Sequence, residues 1–134
     1  MPATDAVLDA IVMVVAADGE VTEREMHLAL TAAKDLPSLH GLPSLERSLG
    51  EAFERFVDQG SDARLAAMGK SVSSLGADVR LEILLAAAVA AAVDGPPTTD
   101  EVECLQRVAT SIGAASGEID AVMARVSGSE TAKR

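Results

Sequence analysis

Two stretches of this chain are apolar at every position, and both end in the same way. Ile11 to Ala17 runs without a polar residue into Asp18-Gly19, and Ile83 to Val93 runs into Asp94-Gly95. Polar residues then resume as Glu20-Val21-Thr22-Glu23-Arg24-Glu25 in the first case and Pro96-Pro97-Thr98-Thr99-Asp100-Glu101 in the second. Aligned, both copies read D-G-x-x-T-x-x-E. Asp18 falls on Asp94, Thr22 on Thr98 and Glu25 on Glu101, at a constant offset of 76 residues. The pattern predicts two copies of one unit: a buried helix, an acidic turn and a second helix.

The remaining apolar positions recur at helical spacing, and no segment keeps the alternation of a strand. The first helix is expected over about 5–17, capped by Thr4 or Asp5, with Val7, Leu8, Ile11, Val14 and Val15 inward. Thr22 caps the second, about 23–36. Glu25 three residues on completes a capping box, and Val21 with Met26 forms a hydrophobic staple. Pro37 and Pro43 bracket a loop. Ser44 starts a third helix with Leu45, Leu49, Phe53, Phe56 and Val57 inward, and Gly60 closes it. Ser61 or Asp62 starts a fourth, with Leu65, Met68, Val72 and Leu75 inward, broken at Gly76. Asp78 starts the fifth, which is apolar on every side. Thr98 caps the sixth, with Pro97 and Val102 as its staple and Val102, Leu105, Val108, Ala109 and Ile112 inward; Gly113 ends it. Ser116 opens a seventh, carrying Ile119, Val122, Met123 and Val126. The expected fold is therefore all-α: a single-domain seven-helix bundle over 1–127 with similar halves at about 5–60 and 61–127, followed by a loose tail, 128–134.

Composition sharpens this picture. An apolar fraction of 49% supports a folded core despite the acidity. With no Trp or Tyr and only Phe53 and Phe56, Ala, Leu and Val must fill that core, which favours close helix packing. A net charge of −10 opposes nucleic acid and anionic membrane surfaces and suits a cation or a basic partner. The run Ile83–Val93 falls short of the roughly 20 residues that span a bilayer. Residues Met1 to Asp5 lack the basic start of a signal peptide. Cys104 is alone, which fits a reducing cytoplasm.

Candidate chemistry concentrates at the repeated turns. Phased at 100° per residue, Glu25 and Glu101 fall within the apolar arcs of their helices, Asp18 continues the inner face of the first helix, and Asp94 sits at the mouth of the fifth. Four carboxylates, Asp18, Glu25, Asp94 and Glu101, are thus aimed inward. If the halves pack face to face they converge, and a divalent cation would relieve the cost of burying and crowding them. Glu20 adds a further oxygen in the first copy only. The string also matches the second half of an EF-hand loop, but the earlier ligand positions are Val14, Ala16, Ala90 and Ala92, which excludes an independent EF-hand. Structural caps account for the same residues without any ion: Asp-Gly is a turn, and Thr-x-x-Glu starts a helix. Gly69-Lys70-Ser71 is no phosphate loop, because Arg64 stands where that pattern needs Gly. His27, His40 and Cys104 show no metal-ligand or catalytic spacing. No enzyme is expected.

The doubled motif, the apolar helix before each copy and the ending Val108-Ala109-Thr110-Ser111-Ile112-Gly113 resemble the TerB-like family of tellurite-resistance-associated proteins, from about Val7 to Val126. That resemblance implies an all-helical fold of seven helices in two halves. It implies metal or calcium binding through acidic residues, here Asp18, Glu25, Asp94 and Glu101, and a role in resistance to tellurite and other stresses. It also implies partner proteins, some at the membrane; a related domain precedes the J-domain of a membrane-anchored co-chaperone. Pro96-Pro97 departs from the family's acidic or small residues and stiffens the second turn. Two readings stay open: a cation-holding module, and a metal-free scaffold whose acidic groove receives a basic partner.

Overall fold

The computed structural model describes residues 3–17, 22–34, 36–92, 98–114 and 117–124. All regular structure among them is helical: α1 (Ala3–Val15), α2 (Glu23–Ala33), a 3-10 turn (Pro37–Leu39), α3 (Leu45–Leu75), α4 (Ala77–Ala92) and α5 (Thr99–Ser111), with residues 117–124 helical as well. The all-α expectation holds, but the expected division into seven separate helices needs correction. The third and fourth merge into α3, and the loop after α2 contains the 3-10 turn. Gly60 does leave helical geometry (φ 83°, ψ 162°), so the expected break stands as a kink between two helical arms that run end to end as one element.

Local chemistry explains the boundaries. Thr22, Ser44 and Thr98 each sit in extended backbone and accept an N–H from the residue three positions on, the standard satisfaction of a helix start. Gly76 and Gly113 end α3 and α5 with φ of 95° and 76°, a region only glycine enters freely. α1 begins at Ala3 among the described residues, so Thr4 and Asp5, expected as its caps, lie inside it. The Thr4 hydroxyl instead donates to the Ser38 carbonyl at 2.9 Å. Glu82 of α4 takes both the Ser38 N–H and its hydroxyl, each at 2.7 Å. The starts of α1 and α4 are thereby tied to the same turn.

The core centres on α1, which packs equally extensively against α3 and α4, while α2 lies chiefly on α4 and α5 on α4, α1 and α3. α4 buries Ile83, Leu84, Ala86, Ala87, Ala88, Ala90 and Ala91. α1 is buried without interruption from Ala6 to Val15, so its two-faced sequence pattern understates its burial. Each fully buried Leu, Ile or Val contributes about 1.5–3 kcal/mol by leaving water. Leu36 and Leu39 add a flank from the loop. Two expected core residues face outward instead: Val57 is 64% exposed and Val102 37%. The staple residues Val21 and Pro97, the seventh-helix start Ser116 and the tail 128–134 lie outside the described residues.

Candidate functional site

The two junction motifs differ in how they close. In the second, the Thr98 hydroxyl accepts from Glu101 N–H at 3.2 Å and the Glu101 carboxylate accepts from Thr98 N–H at 2.8 Å, a complete capping box. In the first, Thr22 accepts from Glu25 N–H at 3.1 Å, and the Thr22 hydroxyl contacts Glu25 Oε1 at 3.3 Å. Both glutamates are half-buried. Glu101 thus satisfies an orphan amide, whereas Glu25 meets only the Thr22 hydroxyl, so the capping box expected at the first junction is half-formed; both carboxylates favour the helix dipole.

The chain just before the first motif approaches the end of the second. Ala16 and Ala17, the last described residues before the first junction, share a cavity of about 250 Å³ with Asp100 and Glu103 from the start of α5. Phe56, Leu65, Cys104 and Arg107 contribute to the same wall. The end of α1 and the start of α5 thus meet at this cavity. Asp18, Glu20 and Asp94 lie outside the described residues, so their carboxylates are not located. Among the described residues, no group of three or more potential metal ligands comes together. The donor chemistry at the junctions is carboxylate oxygen, which fits a hard cation such as calcium and not a thiolate-seeking one. Cys104 beside it is free and half-buried. Burial pushes its thiol up to about 11; the Arg107 charge pulls it down and Glu101 raises it further. Such a thiol is protonated at neutral pH and inert. Arg107 also pairs with Asp62 of α3.

Sequence reading missed the strongest electrostatic feature. Asp9, in the middle of α1, is 2% exposed, and its partner Arg64 is 7% exposed. Arg64 Nε donates to Asp9 Oδ2 at 2.9 Å and Nη2 donates to the same oxygen, while Nη1 donates to Gln59 at 3.1 Å. Arg55 Nη2 stands 3.5 Å from Asp9 Oδ1 and 3.7 Å from Asp5, without hydrogen-bond geometry to Asp9. Burial pushes the Asp9 carboxyl above its ordinary 3.8; the Arg64 hydrogen bond, then the charges of Arg64 and Arg55, oppose that rise, and Asp5 adds slightly to it. Asp9 grips α3 on both sides of Gly60. The signal that could have found it is a lone acid inside an otherwise apolar run, which in a helix demands a cation elsewhere in the chain.

Residues 4–124 match the family described as tellurite resistance protein TerB. Searches of curated proteins and of solved structures return no match. No helix among the described residues is long and apolar enough to cross a membrane. An all-helical chain matched over nearly its whole length, with paired acidic junctions, belongs to the TerB family.

Proposed function

We propose that this TerB-family chain is a non-enzymatic binding module whose paired junctions hold a divalent cation, calcium by preference, in a cytoplasmic assembly that answers tellurite or related stress. The observation that carries the reading is the meeting of the α1 end with the α5 start around one cavity, each belonging to a copy of the same acidic motif. Asp18, Glu25, Asp94 and Glu101 would hold the ion, with Glu20 as a further ligand. The ion would supply positive charge where carboxylates otherwise crowd. Calcium takes six to eight oxygens, so shared half-sites need water to complete them.

Calcium titration by calorimetry, with a parallel thermal melt, tests this. The expected result is saturable heat and a stabilisation of about 2.7 kcal/mol at a hundredfold excess over Kd. Both effects should vanish in an Asp18→Asn/Asp94→Asn double variant. Absence of heat and of any thermal shift, with the double variant matching the parent, removes the cation.

A metal-free scaffold is the second reading. It is favoured by the engagement of Glu25 and Glu101 at their own helix starts, which explains both residues without an ion. Partner capture that weakens with salt and ignores chelators would select it.

A further inference from the structure

We propose that the groove between α2 and the first half of α3 is a docking site for an amphipathic helix bearing basic residues on a partner protein. The groove adjoins the first junction, whose Thr22 and Glu23 line it, while neither Glu25 nor Glu101 does. Its floor is hydrocarbon: Met26 and Leu30 from α2, Leu49 and Phe53 from α3.

Glycine usage supplies the main reason. Two glycines lie in regular helical stretches of α3, Gly50 and Gly69. Each costs about 1 kcal/mol relative to alanine in such a position. At Gly69 the cost has an internal cause: a Cβ would collide with the Ser111 carbonyl of α5. At Gly50 a Cβ would meet nothing within 4 Å, yet the residue lines the groove. Among the described residues nothing uses that bare backbone, whereas a helix lying in the groove would.

The surface pattern of α3 points the same way. Gly50, Phe53 and Val57 follow i, i+3, i+7 spacing, the seam by which one helix meets another. Val57, the end of that seam, is the most exposed large apolar residue described. Two helices border the groove, so the helix-in-groove mode applies.

Charge selects the occupant. Glu46 lines the α3 wall and Glu54 flanks the seam, both exposed, while the neighbouring Arg47 is engaged with Glu51 at 3.9 Å. Glu23, Arg24 and His27 line the α2 side, so across the whole groove two lining glutamates stand against one arginine. A second copy of this chain would bring another −10 charge to the contact, which opposes self-association.

The probe is a fluorescein-labelled helical peptide with leucines at i, i+3 and i+7 flanked by lysines, followed by anisotropy against the full chain. Saturable binding is expected, and a glutamate-flanked version should bind about tenfold more weakly or worse at low salt. Gly50→Leu fills the groove and Val57→Glu charges the seam; each should lower affinity about tenfold. Circular-dichroism melts should show both variants folded, since Gly50 has open space and Val57 is exposed. The proposal fails if the lysine peptide does not saturate, if a scrambled lysine peptide binds equally, or if Gly50→Leu binds as the parent does. It also fails if sedimentation reveals a dimer that Gly50→Leu dissolves, because a second copy would then be the occupant.

Discussion

α1 and α4 occupy matching positions in the two copies of the motif, and each is buried on nearly all sides, but they are built on opposite plans. α4 is hydrocarbon throughout its buried length, with five buried alanines that let its neighbours come close. α1 places Asp9 at its centre and must therefore recruit Arg64, Arg55 and Gln59 from α3. One helix is held by shape and the other by a charge that has to be answered. A repeated topology therefore does not require repeated energetics. Where the partner element can be left free, hydrocarbon suffices; where α3 bends at Gly60, a carboxylate fastens both of its arms.

The largest effect should come from stranding that carboxylate. Arg64→Met leaves Asp9 buried with no hydrogen-bonded cation and should cost about 3–5 kcal/mol at neutral pH, read by chemical denaturation. The pH dependence has a definite sign. Because the folded carboxyl already lies above 3.8, its stabilising contribution is present below that value and is lost as pH rises through the folded one. Arg64→Met raises the carboxyl further, so the gap between parent and variant should close as pH falls toward 3.8. Asp9→Asn removes a charge that burial already disfavours and should cost less than Arg64→Met. If it costs more, the hydrogen bonds of Asp9 outweigh its desolvation.

On the α4 side, Ala87→Leu should cost about 1–3 kcal/mol by overpacking, with no dependence on pH. A neutral result would mean that the α1–α4 contact is slack and that shape is not what holds it. The smallest effect is expected at the caps. Thr22→Ala and Thr98→Ala should each lose about 1 kcal/mol. Thr98→Ala should lose less, because Glu101 still holds the backbone N–H there, whereas Thr22→Ala also loses the hydroxyl contact to Glu25. Equal losses in thermal melts would make the two junctions energetically alike.

What was legible in the sequence follows the range of the interactions. Thr22, Ser44 and Thr98 act within three residues of themselves, and all were readable as caps. Gly76 and Gly113 were readable as stops because the chain truly ends a helix there. Gly60 was readable as a break in the same way: its backbone leaves helical geometry much as that of Gly76 does, and α3 kinks there into two arms. Val57 and Val102 misled because periodicity gives a face but not whether another helix covers it. Asp9 depends on Arg64, 55 residues away, and no local pattern announces that partnership. At the junctions, the roles of Glu25 and Glu101 as first-turn residues were legible. The meeting of α1 with α5 could be inferred only from the repetition, since spacing within one motif says nothing of the other.

The bond set at Ser38 has a mechanical consequence for the alanine-rich helix. A smooth rod fixes how near its neighbour lies but resists sliding poorly, because methyl groups interlock shallowly. Glu82 grips both donors of Ser38 while Thr4 grips the carbonyl of the same residue. Those three bonds act as a detent, fixing how far α1 and α4 are advanced past one another along their length.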